Sequence, residues 1–305
     1  MGSTALVIGG RGFIGKPICD ALVSDGLDVV TYDLSYAGDD KSYPHRRGSI
    51  NDPTSLDAAM RGVDYVFHIA GVLGTSELIE QSVLAVDVNI AGTVHVLDAC
   101  VRNRVKTVFY PTKPNTWLNT YSITKRAGEE FCMMYAREYD LDVRILRWLN
   151  AYGPGQKAFP VRKAVPVMIL QALENRDVQI WGSGEQPVDL IHVDDLARIT
   201  VDYTLGKDLD SATRDTGLSH RMSVNDMAKM IVEMTGSKSK IIHLPMRKGE
   251  DQNIPVELLP KPYASDLLRT SSPGIALEAG MNDTISYYAK IEKAKRNDIL
   301  DFYYA

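Results

Sequence analysis

The chain has 305 residues, 45% hydrophobic and 24% charged, enough for one large α/β domain with a smaller appended lobe. Its net charge of −5 leaves no basic footprint for nucleic acid, and Cys19, Cys100 and Cys132 fit neither a zinc pattern nor a disulfide framework. No signal core opens the sequence and the apolar runs, such as residues 164–170, read as far short of a membrane span, so a cytoplasmic protein with no membrane partner is expected. Short β-branched runs at residues 5–8, 28–32, 65–68, 106–110 and 143–146 predict parallel strands. Helical spacing fills the intervals at residues 13–24, 54–60, 83–102 and 121–139, with Asp52-Pro53 as a start signal and Gly62 as a stop. This alternation implies right-handed βαβ units and a doubly wound α/β sheet. After Gly153-Pro154-Gly155 the rhythm loosens into helices near residues 161–174, from Asp194, and at 223–235, with a strand at 178–181. The chain therefore divides into a Rossmann domain at residues 1–155 and a substrate lobe at 156–305, some of whose segments return to the main sheet.

Gly9-Gly10-Arg11-Gly12-Phe13-Ile14-Gly15 joins the first strand to the first helix. Glycines at 9, 12 and 15 permit a tight turn, close approach of a pyrophosphate, and helix–strand contact. Asp33 stands 18 residues past Gly15, at the end of the second strand. A carboxylate there accepts from ribose hydroxyls and repels a 2′-phosphate, which favours NAD over NADP. Tyr121 and Lys125, four apart at a helix start, project from one face. An ammonium beside a phenol lowers the phenol's pKa from near ~10 and makes it a usable base. The six histidines show no paired helical spacing, so no metal is expected.

The Gly-x-x-Gly-x-x-Gly loop resembles that of the extended short-chain dehydrogenase/reductases, the group of nucleotide-sugar epimerases and dehydratases. Further segments resemble that family in order: His68-Ile69-Ala70-Gly71, Asn89-Ile90-Ala91-Gly92-Thr93, Tyr121-Ser122-Ile123-Thr124-Lys125, the Arg147 to Gly155 signature, Asp189 to Asp195, and Arg247-Lys248-Gly249-Glu250. The resemblance implies catalysis by Thr112, Tyr121 and Lys125. It implies NAD binding by Gly9, Gly12, Phe13, Ile14, Gly15, Asp33, Ser49, Ile50, Ile69, Ala70, Gly71, Asn89, Tyr121, Lys125 and Leu149. It implies nucleotide-sugar contacts at Thr112, Asn150, Trp181, Val188, Arg247 and Glu250, and a homodimer built on residues 83–102 and 121–139. His68 and His192 are expected to pack, Asp194 or Asp195 to cap a helix, and the charges of residues 290–296 to form a solvated helix face.

Two departures bear on chemistry. Related dehydratases and decarboxylases carry acids just after the catalytic Thr, whereas this chain reads Thr112-Lys113-Pro114-Asn115, and only eight residues separate Thr112 from Tyr121. The usual Arg before Asp189 is Val188. The resemblance then implies a C4 epimerase acting through a 4-keto intermediate. An NAD(H)-dependent dehydrogenase or ketoreductase, and a non-catalytic NAD-binding protein, remain alternatives.

Overall fold

The computed structural model describes residues 2–34, 42–113, 117–206, 213–216, 221–251 and 274–304. Strands β1 (Thr4–Ile8), β2 (Asp28–Asp33), β3 (His45–Arg47), β4 (Tyr65–His68), β5 (Thr107–Thr112), β6 (Asp142–Arg147) and the distant β10 (Arg214–Asp215) form one parallel sheet of seven strands, ordered β10-β6-β5-β4-β1-β2-β3. Alternation along β1 splits the core in two. Leu6 and Ile8 face α2 (Pro53–Met60), α4 (Gly92–Asn103) and α5 (Thr120–Tyr139), while Ala5 and Val7 face α1 (Gly15–Ser24) and α7 (Val193–Leu205). The doubly wound sheet expected from the sequence is thus present, with both faces covered. Asp52 accepts from the N–H groups of Thr54 and Ser55 at 3.2 and 3.1 Å, capping α2 as its sequence suggests.

The second half of the chain builds a second core. There α6 (Ala164–Leu173), α8 (Val224–Thr235), α9 (Leu277–Ala289) and α10 (Lys293–Tyr304) surround the parallel pair β8 (Val178–Trp181) and β12 (Ile241–Leu244). A three-stranded sheet, β11 (Arg221–Ser223), β9 (Pro187–His192) and β7 (Asn150–Tyr152), lies beside it. From this stretch α7 and β10 return to the main sheet.

Three expectations are corrected. The helical run Ser82–Asn103, comprising α3 (Ser82–Ala85), a π-helical turn (Val86–Ala91) and α4, is by its 22-residue length and composition apolar enough to cross a membrane. Scattered polar residues hid this from a count of contiguous apolar ones; the run buries Ala85, Val96, Leu97 and Cys100 against the sheet. The charges near the C-terminus are not simply solvated. Arg296, 14% exposed, donates from Nε to Glu174 Oε1 at 2.7 Å and binds α10 to the end of α6. Finally α7 is capped by His192, whose Nδ1 accepts from the Asp194 N–H at 3.3 Å, and Asp195 instead accepts from the Ile275 N–H at 2.8 Å. As expected, His68 is a buried packing residue: Nε2 meets Thr93 Oγ1 at 3.0 Å, and burial pushes it down to about 3, so it stays neutral.

The seat of α5 on β5 is set by Gly128. A Cβ there would stand 2.1 Å from the hydroxyl of Tyr110, which is 1% exposed and cannot swing aside. Replacing an interior helical Gly by Ala ordinarily stabilises by about 1 kcal/mol. Here overpacking reverses the sign, and Gly128→Ala is expected to destabilise by about 1–3 kcal/mol in urea unfolding. A gain in stability would show that α5 can shift freely on the sheet.

Candidate active site

The glycine loop leaves β1 and doubles back on itself. Gly9 has φ +84° and a Cβ there would meet Ala70 N at 2.9 Å, while one on Gly15 would meet Gly9 O at 2.2 Å. Ile69 and Ala70 both donate to Ile8 O at 2.9 Å, so the segment after β4 lies against this turn. The N-terminus of α1, at Ile14, has no side-chain cap and no acid in its first turn. Its N–H groups and dipole suit a phosphate there, with Phe13 and Ile14 half-buried at the turn. Asp33 closes β2 on the same sheet edge, and its carbonyl accepts from the Gly48 N–H at 3.0 Å. Ser49 and Ile50 follow: Ser49 O accepts from Tyr32 Oη at 2.9 Å, and Ile50 packs beneath Gly92. These residues fit a dinucleotide laid across the sheet's carboxyl edge.

Asn89 lies in the π-helical turn, a local widening that often marks functional sites. Its side chain accepts from the Val72 N–H and donates to Val72 O, both at 2.9 Å, and donates to Thr124 Oγ1 at 3.1 Å. Asn89 therefore ties the chain beyond Gly71 to α5 rather than pointing its amide outward.

Helix α5 starts at a buried cap: Asn119 Oδ1 accepts from the Ser122 N–H at 2.9 Å. This places Tyr121 and Lys125 one turn apart beside the end of β5. Lys125 Nζ sits 3.9 Å above the centre of the Tyr110 ring, a cation–π contact. Thr112, 4% exposed, directs its hydroxyl to Lys125 O at 3.5 Å. Burial pushes Tyr121 up to about 12 and Lys125 down to about 7, so the pocket favours the neutral form of each. A further positive charge brought into so poorly solvated a place acts strongly on the phenol.

Beyond Tyr121 the site continues as a row of charged side chains. Lys113 Nζ donates to Ser122 Oγ at 3.2 Å and stands 5.3 Å from the centre of the Tyr121 ring. Arg247 pairs with Glu250 and lies 3.7 Å from Glu77 Oε1, which also accepts from the Arg162 N–H at 3.1 Å. Arg162 and Arg247 sit over the Trp181 ring, at 4.0 and 5.2 Å from its centre. The strap 247–250 is fastened by its carbonyls: Lys248 O accepts from Ser76 Oγ and Gly249 O from Asn119 Nδ2, each at 2.7 Å.

Thr112, Tyr121, Lys125, Trp181, Arg247 and Glu250 thus fall along one path, from the sheet edge to the C-terminal lobe. Val188, in β9, instead packs against the C-terminal core. Asn150 is exposed at the start of β7, and the Leu149 N–H donates to Thr216 Oγ1 at 3.3 Å. Pro114 and Asn115 lie outside the described residues. Lys163, just before α6, lies in the field of Glu77, Arg247 and Glu250. Sequence reasoning marked Lys113 only as a departure and missed Glu77, Asn119, Arg162 and Lys163. Asn119, three before Ser122, carries a readable capping signal; the contact of Glu77 with Arg162, 85 residues apart, leaves no local trace.

The model of the NAD dependent epimerase/dehydratase family matches residues 5–204. The UDP-N-acetyl-α-D-glucosaminuronate decarboxylase of Bacillus cytotoxicus is 28% identical, covering 96% of this chain and 99% of its own. A putative UDP-glucose 4-epimerase of Methanocaldococcus jannaschii is 25% identical over 83% of this chain and 89% of its own. Among solved structures, the UDP-glucuronic acid 4-epimerase of Bacillus cereus, in complex with UDP-glucuronic acid and NAD, is alike in fold. Its TM-score is 0.83 at 24% identity, over 95% of this chain and 100% of that one.

The low pKa of Lys125 carries a stability consequence. Between about 7 and 10.5 the unfolded chain holds a proton on this lysine that the folded chain has lost, so stability rises with pH across that window. Below it, the buried ammonium weighs fully against the fold. Lys125→Met should therefore raise the unfolding midpoint most below pH 7, with the gain shrinking toward pH 10. Thermal unfolding of both proteins across pH 6–10 checks this, and a variant less stable at pH 6 would contradict it.

Proposed function

Because the chain belongs to the NAD dependent epimerase/dehydratase family, with NAD its cofactor, we propose that it inverts C4 of a nucleotide-linked sugar through a 4-keto intermediate. One observation carries this reading: Tyr121 and Lys125 stand ready for redox at a carbinol, while the neighbouring position holds the ammonium of Lys113. Elimination of water needs a carboxylate there, and general acid–base help of that kind is worth about 10²–10⁴-fold. NAD supplies the hydride acceptor and returns the hydride. Tyr121 takes the proton of the C4 hydroxyl and gives it back after the keto sugar has turned. Lys125 stabilises the phenolate, and Thr112 flanks the reacting oxygen. Arg247, Lys163 and Trp181 suit a diphosphate and a base farther along the path.

The short connection between Thr112 and Tyr121 supports a second reading, a ketoreductase that exchanges cofactor with solvent. NAD retained through purification favours the epimerase; stoichiometric consumption of added NADH favours the reductase. The deciding experiment incubates the protein with a panel of nucleotide sugars and follows C4 by NMR and product mass. Inverted C4 at unchanged mass is the expected result, and Tyr121→Phe should lower turnover by at least about 10²-fold. A product lighter by water or carbon dioxide would refute the proposal.

We further infer a cytoplasmic homodimer. The three cysteines are free and buried, which suits a reducing compartment. Val83, Leu84 and Val86 before α4, with Ile123 and Met133 on α5, are 45–75% exposed apolar side chains on adjacent helices, and a second copy of this face would cover them. Light scattering should give twice the chain mass, reduced to the chain mass in Val83→Lys. A monomeric parent protein would end this reading.

A further inference from the structure

Lys113 is costly where it stands. Its ammonium is half-buried, and its hydrogen-bond partner, Ser122 Oγ, is neutral. Among the described residues no carboxylate lies within ion-pair distance of it. Ser122 belongs to the first turn of α5, the end of a helix that repels cations. Lys163 stands close enough to repel it too, and the acid acting on both lysines, Glu250, is already held by Arg247. Along the path, the carboxylates acting on Lys113, Lys163 and Arg247 among the described residues are those of Glu77 and Glu250. An excess of positive charge this poorly compensated implies an anionic occupant.

A nucleoside diphosphate accounts for part of that excess, at the end of the path where Arg247 and Trp181 lie. Lys113 is at the other end, beside the ring of Tyr121 and therefore beside the sugar rather than the diphosphate. A neutral hexose would leave its ammonium uncompensated there. A carboxylate on the sugar ring would give it a charge-assisted hydrogen bond. We propose that Lys113 is a specificity-determining residue that selects a nucleotide hexuronate over the corresponding neutral nucleotide hexose. The proposal rests on the reading of this site as a nucleotide-sugar site, and only its chemistry at C4 is left to the test above. Burial, with the nearby Lys163 ammonium, already pushes Lys113 down to about 8, and an anion beside it would favour its charged form.

The test uses the full chain with NAD. Binding of UDP-glucuronate and UDP-glucose, and of their dTDP counterparts, is measured by calorimetry, and C4 configuration is followed by NMR in the same samples. The uronate should bind at least about tenfold more tightly than the hexose, the worth of one charge-assisted hydrogen bond. Lys113→Gln should cut that preference by about tenfold, and Lys113→Arg should keep most of it. Equal binding of the two sugars, a preference that survives in Lys113→Gln, or binding of neither sugar would overturn the proposal. A Lys113-dependent preference without inversion at C4 would uphold it and defeat the epimerase reading, so the two failures are separable.

Discussion

The contact on which the site depends is the one between Tyr110 and α5. Its ring is fixed in the core between β5 and the helix, and Gly128 is what lets the helix backbone come down onto it. That closeness sets Lys125 Nζ over the ring face and brings Lys125 O within reach of both the Tyr110 and the Thr112 hydroxyls. Tyr121, one turn earlier, inherits its position from the same contact. The π-helical turn on the neighbouring helix completes the arrangement by spreading the backbone around Asn89, whose amide then locks Thr124 from the opposite side. A pair four residues apart is easy to place on a helix. Holding it within reach of a substrate requires the helix to be pinned at both its buried face and its start.

Electrostatics divides the site into two regions with different needs. Around Tyr121 and Lys125 burial suppresses both charges, so reactivity depends on what the cofactor brings. Along the outer path Arg247 is already paired, with Glu77 and Glu250 orienting it across the Trp181 face. Lys113 stands at the junction. Lys113 directly follows the strand that delivers Thr112, but its field is felt in both regions. An acid in its place would make the junction a proton donor or acceptor; an ammonium makes it a counter-ion.

The Rossmann half was legible because its signals are local. Runs of apolar residues with a period change between strand and helix, Asp52-Pro53 as a cap, and the spaced glycines each report on a few neighbouring residues. The strand β3 escaped notice because its three residues, His45 to Arg47, are polar and it exists only by pairing with β2. Likewise β7 and β11 have three residues each and owe their conformation to pairing with β9. At the site, Tyr121, Lys125 and Asp33 could be found from spacing. Glu77, the second acidic partner of Arg247, comes from a segment 170 residues earlier, and Arg162 reaches Trp181 from a separate element. The charge cluster near the C-terminus misled for the same reason: Glu174, which pairs with Arg296, lies 122 residues earlier.

The fastening of the strap 247–250 has a consequence for the order in which the molecule becomes an enzyme. Its two carbonyl contacts span 172 and 130 residues, the first to Ser76 and the second to Asn119. Contacts of such long range form late, after the sheet and its helices have paid their own loop-closure entropy. During synthesis the dinucleotide cradle and Tyr121 exist well before residue 247 has been made. A nascent chain can therefore complete its glycine loop and the start of α5 while the strap, with Arg247 and Glu250, is still unmade. The two halves of the site are separated in time by the connectivity of the chain alone.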